Sequence, residues 1–433
     1  MDGLLKAGTI LTSESGNKYV VEKLLGAGGQ GEVYDVENGG QHFALKWYYP
    51  RTATSQQRAI LENLISKGKP DDTFLWPEDL IVRRPGEPFG YIMALRPKNF
   101  RSIVDLMKRK AEPSFYMLCK AAFNLTKGYQ KLHAMGYSYR DISFGNVFFD
   151  PDTGAVLICD NDNVSVNGKD DSSVYGTPRF MAPEIVLGKA KPSRNTDLFS
   201  LAVLLFYMFM MNHPLEGKLE ADIKCMDIHA MNRLYGTNPV FIFDPDNKTN
   251  RPVRGYQDNA LIYWDLYPES LKKLFTQAFT AGISSPNRRV TENKWLDTFA
   301  NLMSGIAICP RCGAEVFYDQ SKANVGIAHT CWGCQSSVPI PAKLVTDRSC
   351  VLLNRETKLY SHHLYGDSNM ETVVGSVVQN PKNPNLWGIR NEDKVNWTYI
   401  KADGSQIPVA IGRSAGIAAG AKINFGQTIG EFQ

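Results

Sequence analysis

Leu157, Ile158 and Cys159 run straight into Asp160-Asn161-Asp162-Asn163 in the stretch LICDNDNV (157–164). A short apolar run bounded by Asp and Asn reads as a buried strand ending in a polar turn. Its carboxylates and amides could grip a metal ion, or they could close an ordinary Asx turn. A second pattern is Cys309-x2-Cys312 and Cys331-x2-Cys334, with eighteen residues between the pairs. Each Cys-x2-Cys turn brings two thiolates to one tetrahedral ion, so two such knuckles make a four-cysteine site for Zn2+. The protein then fills all four ligand positions, which makes that site structural rather than catalytic. Pro310, Gly313 and Gly333 suit tight knuckles.

Near the N-terminus, YVVEKLLGAGGQGEVYDV (19–36) carries Gly26, Gly28 and Gly31 between two β-type runs. Glycines there let backbone N–H groups approach phosphates with no Cβ in the way. A plain Gly-rich hairpin fits the pattern equally well. A dinucleotide site would need a helix after the glycines. A strand follows instead, and then FALKWYY (43–49) offers another, carrying Lys46. SQQRAILENLI (55–65) is apolar at helical spacing, and Glu62 lies sixteen residues after Lys46. A lone Glu on a helix is usually just solvated, but a buried lysine needs an anion to hold its ammonium.

YSYRDISFGNVFFD (137–150) places Arg140-Asp141 just ahead of Asn146, with Asp160 fourteen residues beyond Asn146. At this point the chain resembles a eukaryotic-type (Hanks-type) protein kinase. The glycine loop, Ala44 and Lys46, the Arg-Asp…Asn loop and the later MAPE occur in that family's order and spacing over roughly residues 15–302. The resemblance implies an α+β, bilobal kinase fold that binds ATP and Mg2+. Lys46 would hold the nucleotide's phosphates, locked by Glu62, and Asp141 would orient the substrate hydroxyl. Asn146 and Asp160 would supply hard oxygen ligands for Mg2+. Met93 would be the gatekeeper, with backbone groups of Ala94 and Arg96 meeting the adenine edge. Leu25, Val33, Ala44 and Phe148 would sandwich the ring. Thr177 in YGTPRFMAPEIV (175–186) would touch Asp141, which favours a Ser/Thr acceptor. Glu184 would pair with Arg289, and Asp197 would tie its helix to the catalytic loop. Arg140 would meet a phosphate on the activation segment, where Ser172 and Ser173 are candidate phosphorylation sites.

The chain departs from that pattern at four places. Tyr139 replaces the His before Arg-Asp, Ser143 replaces a lysine, Phe144 replaces a proline, and Asp-Phe-Gly becomes Asp160-Asn161-Asp162. The last change removes an apolar plug and a flexible hinge. Lys46, Glu62, Asp141, Asn146 and Asp160 are nevertheless all present, which favours an active Ser/Thr kinase over a nucleotide-binding pseudokinase scaffold.

The elements that must position these residues fall into segments of a 433-residue chain. Residues 1–14 read as an N-terminal segment, 15–96 as the N-lobe, 97–302 as the C-lobe, 303–340 as the zinc ribbon and 341–433 as a small all-β sandwich. Residues 213–268 read as an insertion in the helical lobe. The sandwich is expected from runs such as SCVLLN, ETVVGSVV, NLWGI, NWTYIK, IPVAIG and KINFG, separated by Gly, Asn and Pro turns. Its outline distantly resembles a forkhead-associated domain, but Gly412-Arg413-Ser414 lies near the end rather than the start, which points to an adaptor. His362-His363 would point opposite ways on a strand and so would not ligate together.

A net charge of +4 gives no case for nucleic-acid binding. The run LFSLAVLLFYMFMM (198–211) is short of the ~20 residues a membrane span needs, so it reads as a core helix. With no secretory signal, disulfides are not expected and the chain is expected in the cytoplasm. Kinase lobes followed by a four-cysteine ribbon and a β tail resemble kinases of the tellurium-resistance-associated phosphorylation triad. That resemblance implies protein substrates, and as partners a metal-dependent Ser/Thr phosphatase and a von Willebrand A-type protein.

Overall fold

A computed structural model describes residues 3–82, 87–167, 176–319, 322, 328–367 and 369–433. The chain forms two units, Met1–Trp264 with Lys273–Leu296, and Asp265–Lys272 with Asp297–Gln433.

Period-two alternation builds the front of the first unit. Strands β1 (Ile10–Thr12), β2 (Lys18–Ala27), β3 (Gly31–Asn38), β4 (Gln41–Tyr48), β5 (Asp79–Val82) and β6 (Phe89–Ala94) form an antiparallel sheet of order β1-β2-β3-β4-β6-β5. Successive side chains on a strand face opposite ways. Leu45 and Trp47 therefore join Tyr19, Val21, Val36 and Ile92 on one face, while Ala44, Tyr48, Tyr91 and Met93 line the other. Lys46 falls on this second face, between Ala44 and Tyr48, and pairs in register with Tyr91. Residues of the 1–14 segment join the sheet: β1 pairs with β2, and Leu5 and Leu11 are buried in the sheet's core.

Helix α1 (Ser55–Lys67) starts at Thr54, whose side chain accepts a hydrogen bond from the Gln57 N–H, and stops at Gly68, where φ is 75°. Its buried residues are Leu61 and Leu64, and hiding each side chain contributes about 2 kcal/mol. Leu61 packs with Ala44, Tyr48 and Tyr91, so this side of the helix faces inward.

Behind the sheet lie the helix Phe115–Ala134, a hairpin of Val147–Phe149 with Val156–Ile158, and the helix Arg194–Met210. The last of these is buried from Thr196 to Met210, as the apolar run suggested. Phe206 meets Phe241, Phe275 and Phe279 edge-on, so part of the stretch read as an insertion belongs to the core of this unit. Among the described residues no helix is long and apolar enough to cross a membrane.

The second unit holds the paired cysteines and a β-rich region. Ile306–Ile308 pairs with Glu315–Phe317, and the ribbon's Ala307, Val316 and Val338 share a cluster with Leu352 of the next segment. Six strands with Lys343–Val345 beside Ile429–Phe432 form one sheet, and four more form another around Leu344, Ile389, Trp397 and Ile423. Short strands at 343–345, 358–360, 414–416 and 429–432 had no signal of their own. Ser361–Tyr365 is a helical turn rather than a strand. It brings the rings of His362 and His363 to 3.9 Å, and His363 is held by the Tyr360 N–H and the Ser304 hydroxyl.

Candidate active site

The loop after Tyr137 is fixed from beneath. Asp197 accepts hydrogen bonds from the backbone N–H groups of Tyr139 (2.6 Å) and Arg140 (3.1 Å). His133 bridges Asp197 (3.0 Å) and Glu292 (2.6 Å), and Arg194 holds the other oxygen of Glu292 at 2.6 Å. Burial works against charge on His133, but those two carboxylates outweigh it and raise its pKa to about 8. Arg289 reaches Glu184 at 2.8 Å, the staple the sequence suggested.

Above this base, Asp141 accepts the Thr177 N–H (2.9 Å) and hydroxyl (2.7 Å) on Oδ1. Asn146 donates to the Asp141 carbonyl at 2.8 Å and to its Oδ2 at 3.2 Å. Thr177 can take this place because Gly176 precedes it: φ there is 109°, and a Cβ would meet the Arg140 carbonyl at 2.7 Å. Asp160 heads a 3-10 turn with φ of 52°, and its side chain is 41% exposed toward the cleft.

Two substitutions in the Asp160-Asn161-Asp162 segment turn out to be anchors. Asn161 is buried, and its amide donates to the carbonyls of Leu75 (2.7 Å) and Ile158 (3.0 Å). A pair of hydrogen bonds thus holds the position of the missing apolar plug. Tyr139, packed edge-on against Tyr129, donates its hydroxyl to the Cys159 carbonyl just ahead of Asp160. Asp162 is fully buried and accepts two contacts from Lys46, at 2.8 and 3.0 Å. It also accepts the Tyr48 hydroxyl and, at 3.3 Å, the Tyr91 hydroxyl.

Lys46 therefore does not pair with Glu62, which is a correction to the expectation above. Glu62 is exposed and binds Arg58 at 2.8 Å, one turn earlier on its own helix. The cause is helix register. With Leu61 and Leu64 turned inward, about 100° per residue carries Glu62 to the outer flank. The α1 side chain that does reach the turn is Gln57, which donates to the Asp162 carbonyl at 3.3 Å. Burial pushes the Lys46 pKa down, but Asp162 first, then Asp160 at 3.5 Å, outweigh it and hold the pKa above the usual lysine value.

The glycine loop lies over this centre. Gln30 accepts from Lys46 at 3.0 Å and donates to Asn163 at 3.4 Å. Gly31 is required, since a Cβ would lie 2.2 Å from the Trp47 carbonyl, whereas Gly26 faces open space and Gly28 has only a distant neighbour. Ala44 and Met93 are buried, Val33 is half-buried, and Leu25, Ala94 and Arg96 are exposed. The Arg96 guanidinium lies 4.1 Å over the Phe148 ring. Arg140 donates from Nε to the Asn163 carbonyl. Ser172 and Ser173 lie outside the described residues.

Asp162, Gln30, Tyr48, Tyr91 and Gln57 were missed by sequence reasoning. The available signal was an added carboxylate beside a lysine that needs an anion, with tyrosines two residues from that lysine and opposite it.

In the second unit, the four cysteine sulfurs all lie within 4.8 Å of one another, with Cys309–Cys334 at 3.6 Å and Cys312–Cys331 at 3.5 Å. Bonds of about 2.3 Å to a tetrahedral zinc give sulfur–sulfur edges of about 3.8 Å, whereas a disulfide needs about 2.05 Å. Each knuckle closes with a backbone bond to its first cysteine, from Gly313 and from Gln335. These are also the left-handed positions, at φ 76° and 58°. Gln335, not Gly333, is therefore the turn residue of the second knuckle.

A small sheet over a helical lobe, with a strand lysine, a loop aspartate and a second aspartate meeting between them, is the protein kinase arrangement. Residues 19–298, well over half of the chain, match the family model of the protein kinase domain, and the chain belongs to that family. It is 27% identical over 241 residues to a probable cell cycle serine/threonine-protein kinase, a CDC5 homolog, of Encephalitozoon cuniculi, covering 54% of this chain and 50% of that one. It is 23% identical over 334 residues to the protein kinase YegI of Escherichia coli, covering 70% of this chain and 48% of the other. Against the DNA damage-responsive serine/threonine-protein kinase RqkA of Deinococcus radiodurans it is 26% identical over 228 residues, covering 51% and 33%. The matches span half or less of these relatives' lengths.

Proposed function

We propose that this chain is an ATP- and Mg2+-dependent serine/threonine protein kinase that phosphorylates partner proteins and itself. The observation that carries this reading is Asp141, fixed by Thr177 and Asn146 with its carboxylate beside the cleft. Asp141 takes the proton of a substrate hydroxyl as its oxygen bonds to the γ-phosphorus and the bond to ADP breaks. In this reading Lys46 binds the nucleotide's phosphates, Leu25, Val33, Ala44 and Phe148 enclose the base, and Met93 is the gatekeeper.

Asn146 and Asp160 are the side chains that would hold Mg2+. The fit rests on charge: the one lysine of this centre is paired with the buried Asp162, which leaves the half-exposed Asp160 and Asp141 as carboxylates that a cation would neutralise. When bound, Mg2+ neutralises charge on the transferred group. Ser143, where the family has a lysine, leaves one positive charge fewer and slows transfer.

We also infer that Cys309, Cys312, Cys331 and Cys334 hold a structural Zn2+, on the sulfur spacing. The order of kinase, ribbon and β region favours a metal-dependent phosphatase and a von Willebrand A-type protein as partners.

The test is labelled ATP with Mg2+ and generic acceptor proteins, followed by acid hydrolysis. Phosphoserine and phosphothreonine without phosphotyrosine are expected. ATP-induced thermal stabilisation with no label in protein would replace the enzyme by a nucleotide-binding scaffold.

A further inference from the structure

We propose that Asp162 is the positioning residue of Lys46, so that placement of the lysine does not depend on an acidic side chain of helix α1. The inference rests on the kinase reading of this cleft. In protein kinases the lysine's anion stands on the helix that follows the lysine strand, and moving that helix makes or breaks the site. Here the anion stands on the turn that carries Asp160, two residues away.

Both oxygens of Asp162 face the Lys46 ammonium, and the hydroxyls of Tyr48 and Tyr91 hold the same carboxylate. These tyrosines are in place for a reason set by the sheet: Tyr48 is two residues from Lys46 on β4, and Tyr91 is its registered partner on β6. Asp162 is not a second ligand for the cleft's cation, because it is fully buried and its oxygens are taken, while Asp160 is the exposed member of the pair. Glu62 is outside the arrangement and bound to Arg58.

Two consequences follow. The lysine and the metal ligand move as one piece, and turning the Asp160 segment outward would cost the buried Lys46–Asp162 pair. Displacing α1 removes the Gln57 contacts to the Asp162 carbonyl (3.3 Å) and the Tyr48 hydroxyl (3.2 Å) but not the Lys46–Asp162 pair itself, so a switch that acts through this helix has a weaker lever on Lys46 than one that carries the anion.

The test compares wild type, Asp162→Asn and Glu62→Gln for transfer of labelled phosphate at varied ATP, with nucleotide dissociation constants from fluorescent-nucleotide titration and melting curves alongside. Losing a charge-assisted pair is expected to weaken nucleotide binding and kcat/KM by about a hundredfold in Asp162→Asn. Glu62→Gln, at an exposed site that does not threaten folding, should stay within about twofold of wild type on both readouts. A Glu62→Gln loss approaching that of Asp162→Asn overturns the proposal, as does an Asp162→Asn protein within about twofold of wild type. If wild type binds nucleotide but transfers nothing, the kinase reading falls, and the binding arm still decides whether Asp162 positions Lys46.

Discussion

His133 makes the stability of the catalytic unit depend on pH in a direction the structure fixes. Its ring lies between Asp197 and Glu292, is 2% exposed, and carries a pKa raised from 6.5 to about 8; Arg194, paired with Glu292, is the nearby cation. A group whose folded pKa is raised contributes stability that is complete below the unfolded pKa and lost as pH rises through the folded one. The window is therefore from 6.5 to about 8, and at about 1.4 kcal/mol per pH unit the loss is about 2 kcal/mol. Urea unfolding of wild type and His133→Asn at about pH 6 and about pH 9 isolates it, because other titrating groups cancel in the difference. Wild type should lose about 2 kcal/mol more than the variant across that range. Parallel pH dependences would refute a protonated His133 at the base of the loop.

Three further outcomes follow from buried contacts. Arg289→Ala should destabilise the first unit by about 3 kcal/mol or more in denaturant titration, since it strands Glu184 and the carbonyls of Asn195 and Gly282. Asn161→Ala should cost about 2 kcal/mol in the same titration, leaving the Leu75 and Ile158 carbonyls without its amide. Elemental analysis of purified protein should find about one zinc per chain, absent from a Cys309→Ser, Cys331→Ser double variant, whose second unit should melt at lower temperature.

Spacing made the chemistry legible where it was local. Asp141 and Asn146 share one loop, Asp160 ends the next hairpin, and each pair of cysteines sits in a single turn, so residue intervals placed them. Glu62 shows where intervals stop. Whether a helical side chain faces the cleft depends on which neighbours are buried, and Leu61 and Leu64 took the inner side. Asp162 is visible in the sequence as a departure, but there it shows only the loss of plug and hinge. Its gain appears only when β4 and β6 align Tyr48, Tyr91 and Lys46 on one face. The longer β runs of the second unit were legible from alternation, whereas three-residue strands such as Lys343–Val345 exist because a distant partner pairs with them.

On the proposed reading, Asp141 activates the acceptor hydroxyl for phosphoryl transfer. Single-turnover transfer from γ-labelled ATP, wild type beside Asp141→Asn, tests it most directly. Label in serine and threonine is expected for wild type, with a fall of about a hundredfold to ten-thousandfold in the variant and its melting temperature and ATP binding kept. Equal transfer by the two proteins would contradict it.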